Sequence, residues 1–244
     1  MTSSHVGSLS NVKLTVLVDN RLIDPRLEST WGLSILVEAN NTTILFDVDT
    51  RWNIVYNNAQ LLHAPLSKVD YIVISHWHGD HAGGLDDALE YYSSIGKRIG
   101  VIVPSRRIFH LIRGEFTVGA IPVKISEGII TSGVLGRFIK EQSLILNVEG
   151  KGPIILVGCS HPGLDKIVRR ACRILGVESV YGVIGGYHVG LYGARRVERV
   201  FREYNVRIVG PAHCTGDDAI RFFKKRFGEG FVEVYTGRII EFRR

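Results

Sequence analysis

Tyr71-Ile72-Val73-Ile74-Ser75-His76-Trp77-His78-Gly79-Asp80-His81 is the stretch on which the reading of this chain turns. Its apolar, β-branched opening predicts a short buried strand. Three histidines and an aspartate then fall within six residues, and Gly83-Gly84 leads into a helix. A strand end suits such a cluster, because the sheet fixes the backbone while the side chains project into a cleft. His76 and His78, in the same phase, can face one metal. Asp80 and His81, in the turn, can face a second. Imidazole and carboxylate are natural ligands for zinc, and manganese or iron suit similar donors. A lone histidine here would read as a locally hydrogen-bonded polar group; four groups at this spacing read as metal ligands.

One segment cannot close such a site, and three others offer histidines in the same position. Val157-Gly158-Cys159-Ser160-His161-Pro162-Gly163, Ile184-Gly185-Gly186-Tyr187-His188 and Pro211-Ala212-His213-Cys214-Thr215-Gly216 each follow an apolar strand-like run. Cys159 lies two residues before His161 and would share its face on a continued strand, as a thiolate ligand or a buried neighbour. Cys214 immediately follows His213 and is expected to point away. Cys172, in an apolar helical stretch, reads as a small core residue. Three cysteines at these spacings match no disulfide framework or zinc ribbon.

Strands are expected near Val12–Val18, Leu33–Glu38, Thr43–Phe46, Tyr71–Ile74, Ile99–Val103, Leu144–Val148, Ile154–Val157, Ser179–Val183, Val206–Val209, Phe231–Tyr235 and Arg238–Phe242. Helical spacing joins Leu164, Ile167, Val168, Ala171, Ile174 and Leu175, and again Leu191, Ala194, Val197, Val200, Phe201 and Tyr204. A further helix should start at Thr215, whose hydroxyl can cap it. Shorter helices are expected near Asn53–Leu62, Leu85–Tyr92 and Ser105–Ile112. Strand-rich and helix-rich parts in both halves fit an α/β (α+β layered) chain, two sheets sandwiched by helices in an αββα order, as a single domain over 1–244.

The 244 residues carry a net charge of +6, which would attract an anionic small substrate or nucleic acid. The basic residues are scattered, and no arm for gripping a long nucleic acid is visible, which argues against a nucleic-acid partner. No apolar run is long enough for a membrane span and Met1 to Ser10 carries no signal-peptide core, so a cytoplasmic protein with no membrane partner is expected.

The His76-to-His81 segment is the HxHxDH signature, and with Leu45-Phe46-Asp47 upstream and the later His161 and His213 the chain resembles the metallo-β-lactamase superfamily. Gly158-Cys159-Ser160-His161, Gly185-Gly186-Tyr187-His188, His213-Cys214-Thr215-Gly216, Gly32-Leu33-Ser34 and Gln142-Ser143-Leu144 resemble a narrower subgroup. That subgroup is named for the archaeal 7,8-dihydropterin-6-yl-methyl-4-(β-D-ribofuranosyl)aminobenzene 5′-phosphate synthase. The resemblance implies that His76, His78 and His161 hold one metal and that Asp80, His81 and His213 hold a second, one or two zinc ions in all. Asp47 would orient a ligand through a hydrogen bond. Two departures stand out. Val48-Asp49 replaces the usual Thr-Gly, and His188 occupies the place where superfamily hydrolases carry a metal-bridging aspartate. Losing that charge leaves two dications less compensated.

The resemblance implies a metal-dependent hydrolase, in which zinc makes hydroxide available near neutral pH for attack on a phosphoryl or acyl centre. Asp80 would orient the attacking group and His188 would give a proton to the leaving group. The subgroup implies an alternative, transfer of a dihydropterin methyl unit to an aromatic acceptor with diphosphate leaving. Nuclease or RNA processing, known in the superfamily, is a further alternative. Tyr187, Arg106 and Arg107 are candidates for contact with a small anionic substrate.

Overall fold

A computed structural model describes residues 6–106 and 116–244. Its first half runs β1 (Asn11–Val18), β2 (Ser34–Ala39), β3 (Thr42–Phe46), α1 (Trp52–Leu61), β4 (Tyr71–Val73), α2 (Gly79–Ala82), α3 (Leu85–Ser94), β5 (Gly100–Val103) and β6 (Phe116–Val118). The second half runs β7 (Lys124–Ser126), β8 (Ile129–Thr131), β9 (Leu144–Val148), β10 (Gly152–Val157), α4 (Leu164–Leu175), β11 (Gly182–Gly186), α5 (Leu191–Glu203), β12 (Ile208–Ala212), α6 (Asp217–Phe227) and β13 (Ile239–Arg243).

Among the described residues these strands form two sheets, ordered β13-β1-β2-β3-β4-β5-β6 and β12-β11-β10-β9-β8-β7. Side-chain alternation assigns each strand residue to a layer. On β10, Ile154 and Leu156 pack into the core between the sheets, while Ile155 and Val157 face α4, α5 and α6. On β3, Ile44 and Phe46 point into the same inter-sheet core, and Leu45 turns to α1 and α3. Both faces of these strands are buried, which is why they read as unbroken apolar runs. The outcome is the expected layered order of helix, sheet, sheet, helix.

Several expectations shift. The strand expected at Ser179–Val183 starts at Gly182 and runs to Gly186. Phe231–Tyr235 forms only a single bridge, Val209 to Phe231, in place of a strand. The three-residue strands β6, β7 and β8 were too short to show a period. The helix expected at Ser105–Ile112 falls largely outside the described residues. Thr215 does not cap α6, which begins after Gly216 with no side-chain cap. Its hydroxyl instead donates to Ala212 O (2.7 Å) and accepts from Tyr187 N (3.0 Å), pinning the ends of β12 and β11 together. No described helix is long and apolar enough to cross a membrane.

Candidate metal centre

Parallel pairing brings the histidine-bearing strand ends to one edge of the sandwich. β3, β4 and β5 run parallel in one sheet, and β10, β11 and β12 in the other. Their carboxyl ends lead to Asp47, His76, Cys159, His161, His188 and His213. Several of these strands end in a backbone flip: φ is 58° at Asp47, 50° at His188 and 47° at His213. Left-handed φ at non-glycine residues costs on the order of 1 kcal/mol each, and such residues concentrate at functional sites. Gly158 allows the two sheets to meet here. A Cβ at that position would collide with Ser75 Oγ and stand 3.1 Å from His76 Nδ1.

Two clusters of donor atoms result. In one, His76 Nε2 lies 3.1 Å from His78 Nδ1, and the His161 ring packs 4.8 Å from His76 and 4.9 Å from His78. In the other, His81 Nε2 lies 3.1 Å from His213 Nε2, and Asp80 Oδ2 lies 3.2 Å from the same His213 nitrogen. Each of these nitrogens can present a lone pair, and which of them carries a proton depends on the tautomer. Ligands on one tetrahedral zinc at 2.0–2.1 Å stand roughly 3.3 Å apart, close to these separations. Either a proton or a cation must lie between His81 and His213. His161 Nε2 is buried with no hydrogen-bond partner among the described residues. An orphaned imidazole nitrogen beside two others is what a metal ligand looks like without its metal, so the donor set fits such an ion.

The supports behind the donors are buried and specific. Asp47, fully buried, accepts hydrogen bonds from Ser75 N and Ser75 Oγ, both 2.7 Å, and lies 2.7 Å from His81 Nδ1. It therefore aims the opposite nitrogen of His81 at the cluster, and through Ser75 Oγ, 3.0 Å from His76 Nδ1, it reaches His76 as well. Three groups were not singled out from the sequence. Glu141 accepts from Cys159 N (3.0 Å), Ser160 N (2.8 Å) and His161 N (2.8 Å), seating the whole turn that carries Cys159 and His161. Asp19 accepts from His213 N (2.8 Å). Asn20 Oδ1 lies 2.9 Å from His213 Nδ1, and Asn20 Nδ2 donates to His213 O (3.1 Å). The proximity of Glu141 to Gln142-Ser143, and the acid-amide pair ending β1, were the only traces of these roles in the chain.

Burial dominates the protonation of these groups. It pushes Asp47 up to about 8 and Glu141 up to about 7, in both cases against hydrogen bonds that pull the other way. It holds His76 and His81 far below the usual histidine range and lowers His161 to about 4. These imidazoles are thus neutral, the form in which a histidine can bind a metal. Burial also opposes charge on Asp80, but the hydrogen bond with His213 outweighs it and keeps Asp80 well below the usual carboxylate range.

The remaining candidates divide. His188 is exposed, with its ring 4.8 Å from His161. Arg106 is exposed and lines a cavity of ≈ 440 Å³ together with Trp77, His78, Ser105, Phe138, Ile139 and Lys140. Arg107 lies outside the described residues. Tyr187 requires correction. Its ring is 2% exposed, packs against Phe201 and Phe223, and donates its hydroxyl to Val183 O at 2.7 Å, so it belongs to the core. Its aromatic neighbours on α5 and α6 claimed it. Cys214 does not point away, since its Sγ lies within 4.8 Å of Cys159 Sγ and a His188 ring nitrogen. Trp31, 66% exposed and 5.5 Å from the His213 ring, was not anticipated. A larger cavity, ≈ 920 Å³, opens at the amino ends of β11 and β12, away from the histidines, and its Arg202 and Arg226 are tied to Glu198.

The profile of the metallo-beta-lactamase superfamily matches residues 32–158. The chain belongs to this superfamily. It is 28% identical to 7,8-dihydropterin-6-methyl-4-(beta-D-ribofuranosyl)-aminobenzene-5'-phosphate synthase of Methanocaldococcus jannaschii, over 98% of this chain and 99% of that protein. Among solved structures, a metal-dependent hydrolase of the beta-lactamase superfamily, Tm1679, superposes with a TM-score of 0.75 at 24% identity. That match covers 96% of this chain and all of that one. The metallo-beta-lactamase fold protein YhfI from Bacillus subtilis gives 0.70 at 12% identity, again over 96% of this chain and all of that one. These two structures support the fold.

Proposed function

We propose that this chain is a metal-dependent hydrolase of a small anionic substrate, with water attacking a phosphoryl or acyl centre. The observation that carries this reading is the pair of donor clusters, His76, His78 and His161 beside Asp80, His81 and His213, with His161 Nε2 lacking a hydrogen-bond partner among the described residues. Zinc-like dications held there would supply Lewis acidity, lowering the pKa of water and drawing charge from a reacting oxygen. Asp80, whose side chain is 20% exposed, is the site carboxylate that a water can reach and be oriented by. His188 stands at the open side and can give a proton to the leaving group. Arg106 and Lys140 would attract the substrate's anionic group into the cavity beside His78. One domain over 1–244 belongs to the same reading.

A second reading has its own support. The cavity beside His78 joins two aromatic rings, Trp77 and Phe138, to the cations Arg106 and Lys140, and Phe138 is 93% exposed. Flat rings and phosphate suit such a lining. With the end-to-end similarity to the archaeal synthase, this supports transfer of a dihydropterin methyl unit to an aromatic acceptor with diphosphate leaving. One experiment separates the readings. Metal-loaded protein is given dihydropterin methyl diphosphate with and without the ribofuranosyl-aminobenzene phosphate acceptor, alongside a phosphodiester, a thioester and a lactam. Diphosphate release without acceptor supports hydrolysis, and release only with acceptor supports transfer. No turnover of any substrate would count against both.

A further inference from the structure

The two donor clusters share one side chain. Cys159 Sγ, a nitrogen of His76 and a nitrogen of His161 lie within 4.8 Å of one another, and so do Cys159 Sγ, a nitrogen of His81 and a nitrogen of His213. Cys159 is the only residue common to these two sets. Its sulfur is 3.2 Å from His81 Nε2, and the residue is 3% exposed. Its backbone N–H is held by Glu141, so the side chain starts from a fixed point.

Charge asks for a second anion at this place. Two dications held by five imidazoles and Asp80 alone would have a single carboxylate between them. The turn after β11, where an aspartate would supply another negative charge, carries His188 instead. Repulsion between two ions a few ångströms apart is large in a buried site, and a thiolate placed between them offsets it. Zinc–sulfur bonds of about 2.3 Å and zinc–nitrogen bonds of about 2.0 Å require S···N separations of roughly 3.5 Å, close to the Cys159–His81 distance.

We propose that Cys159 bridges the two metals as a thiolate, in place of a bridging carboxylate. The thiol proton passes to solvent as the second ion enters, and Sγ forms one bond to each metal. This inference rests on the metal-binding reading above. It makes the second ion's affinity depend on a sulfur. Cys214, which faces Cys159 and His188 but belongs to neither histidine set, is not part of the bridge.

The test is a cobalt(II) titration of reduced, metal-free protein, followed by absorption and by equilibrium binding. A near-ultraviolet thiolate-to-cobalt charge-transfer band is expected, growing through two equivalents. The near-isosteric variant Cys159→Ser should lose the band and bind the second equivalent at least about tenfold more weakly. Cys214→Ser should keep the band. A protein that binds cobalt without the band, a band that saturates at one equivalent, or a band that survives Cys159→Ser overturns the bridge while leaving the metal-binding reading intact. If Cys159→Ser does not fold, loss of the band in Cys214→Ser assigns it to the other cysteine and overturns the proposal equally. Failure to retain any cobalt removes the underlying reading as well.

Discussion

Glu141→Gln tests how the structure holds its third histidine. Glu141 offers two oxygens to three backbone N–H groups: Oε1 to Cys159 and Ser160, Oε2 to His161. Glutamine keeps one oxygen. Its amide nitrogen replaces the other, so an N–H donor would face either His161 N–H or the Cys159–Ser160 pair. A lost charge-assisted bond and an unsatisfied buried donor together cost about 2–4 kcal/mol. In a chain of this size that lowers Tm by roughly 5–15 °C. The cost depends on pH with a definite sign. Glu141 is raised to about 7 in the fold, against 4.5 as its reference value. Between these values the folded protein holds a proton that the unfolded chain has released. Wild type therefore gains stability as pH falls from 7 to 4.5, at about 1.4 kcal/mol for each pH unit and up to roughly 3 kcal/mol in all. Glutamine has no such gain. The gap between wild type and variant should widen from pH 8 to pH 5. Urea unfolding of both metal-free proteins across that range measures it. A gap that narrows on acidification would refute the reasoning.

Other substitutions separate ligands from supports. His78→Ala should remove metal from the first cluster while leaving far-ultraviolet circular dichroism unchanged, because His78 is exposed and sits outside the core; wild-type metal content in the purified variant would contradict this. Asn20→Ala frees His213 Nδ1 and should weaken metal binding about 10–100-fold by chelator competition, with the fold retained. His188→Ala should cost turnover more than stability, and an unchanged kcat on the responsive substrate would take His188 out of the mechanism. Arg106→Ala should raise KM for an anionic substrate, with little change in kcat; an unchanged KM would place the substrate elsewhere.

The layered fold was legible because its strands are buried on both faces, so their apolar runs stand out, while the helices show their own period. The short strands β6 to β8 carry three residues each, too few for a period to appear. The His76-to-His81 segment stood out as a candidate metal motif because four donors crowd into six residues of sequence. The later histidines could be placed at strand ends because each follows an apolar run. Tyr187 could not be placed: next to His188 in sequence, it alternates onto the helix-facing side, where Phe201 and Phe223 bury it. Cys214 was misread by the opposite error, since the left-handed turn at His213 breaks strand alternation.

What the amino-acid sequence settles by itself is local: which runs form strands, and which side chains at their ends carry donor atoms. What only the tertiary structure decides is which of those ends meet. Asp19 and Asn20 stand more than 190 positions from His213 and Glu141 stands 18 to 20 positions before the turn it seats, and no spacing along the chain marks such pairs. Parallel pairing of β10, β11 and β12 against the other sheet brings them together. The same convergence sets the Cys159 sulfur between two histidine clusters, because position in a buried site is a property of packing and not of order along the chain.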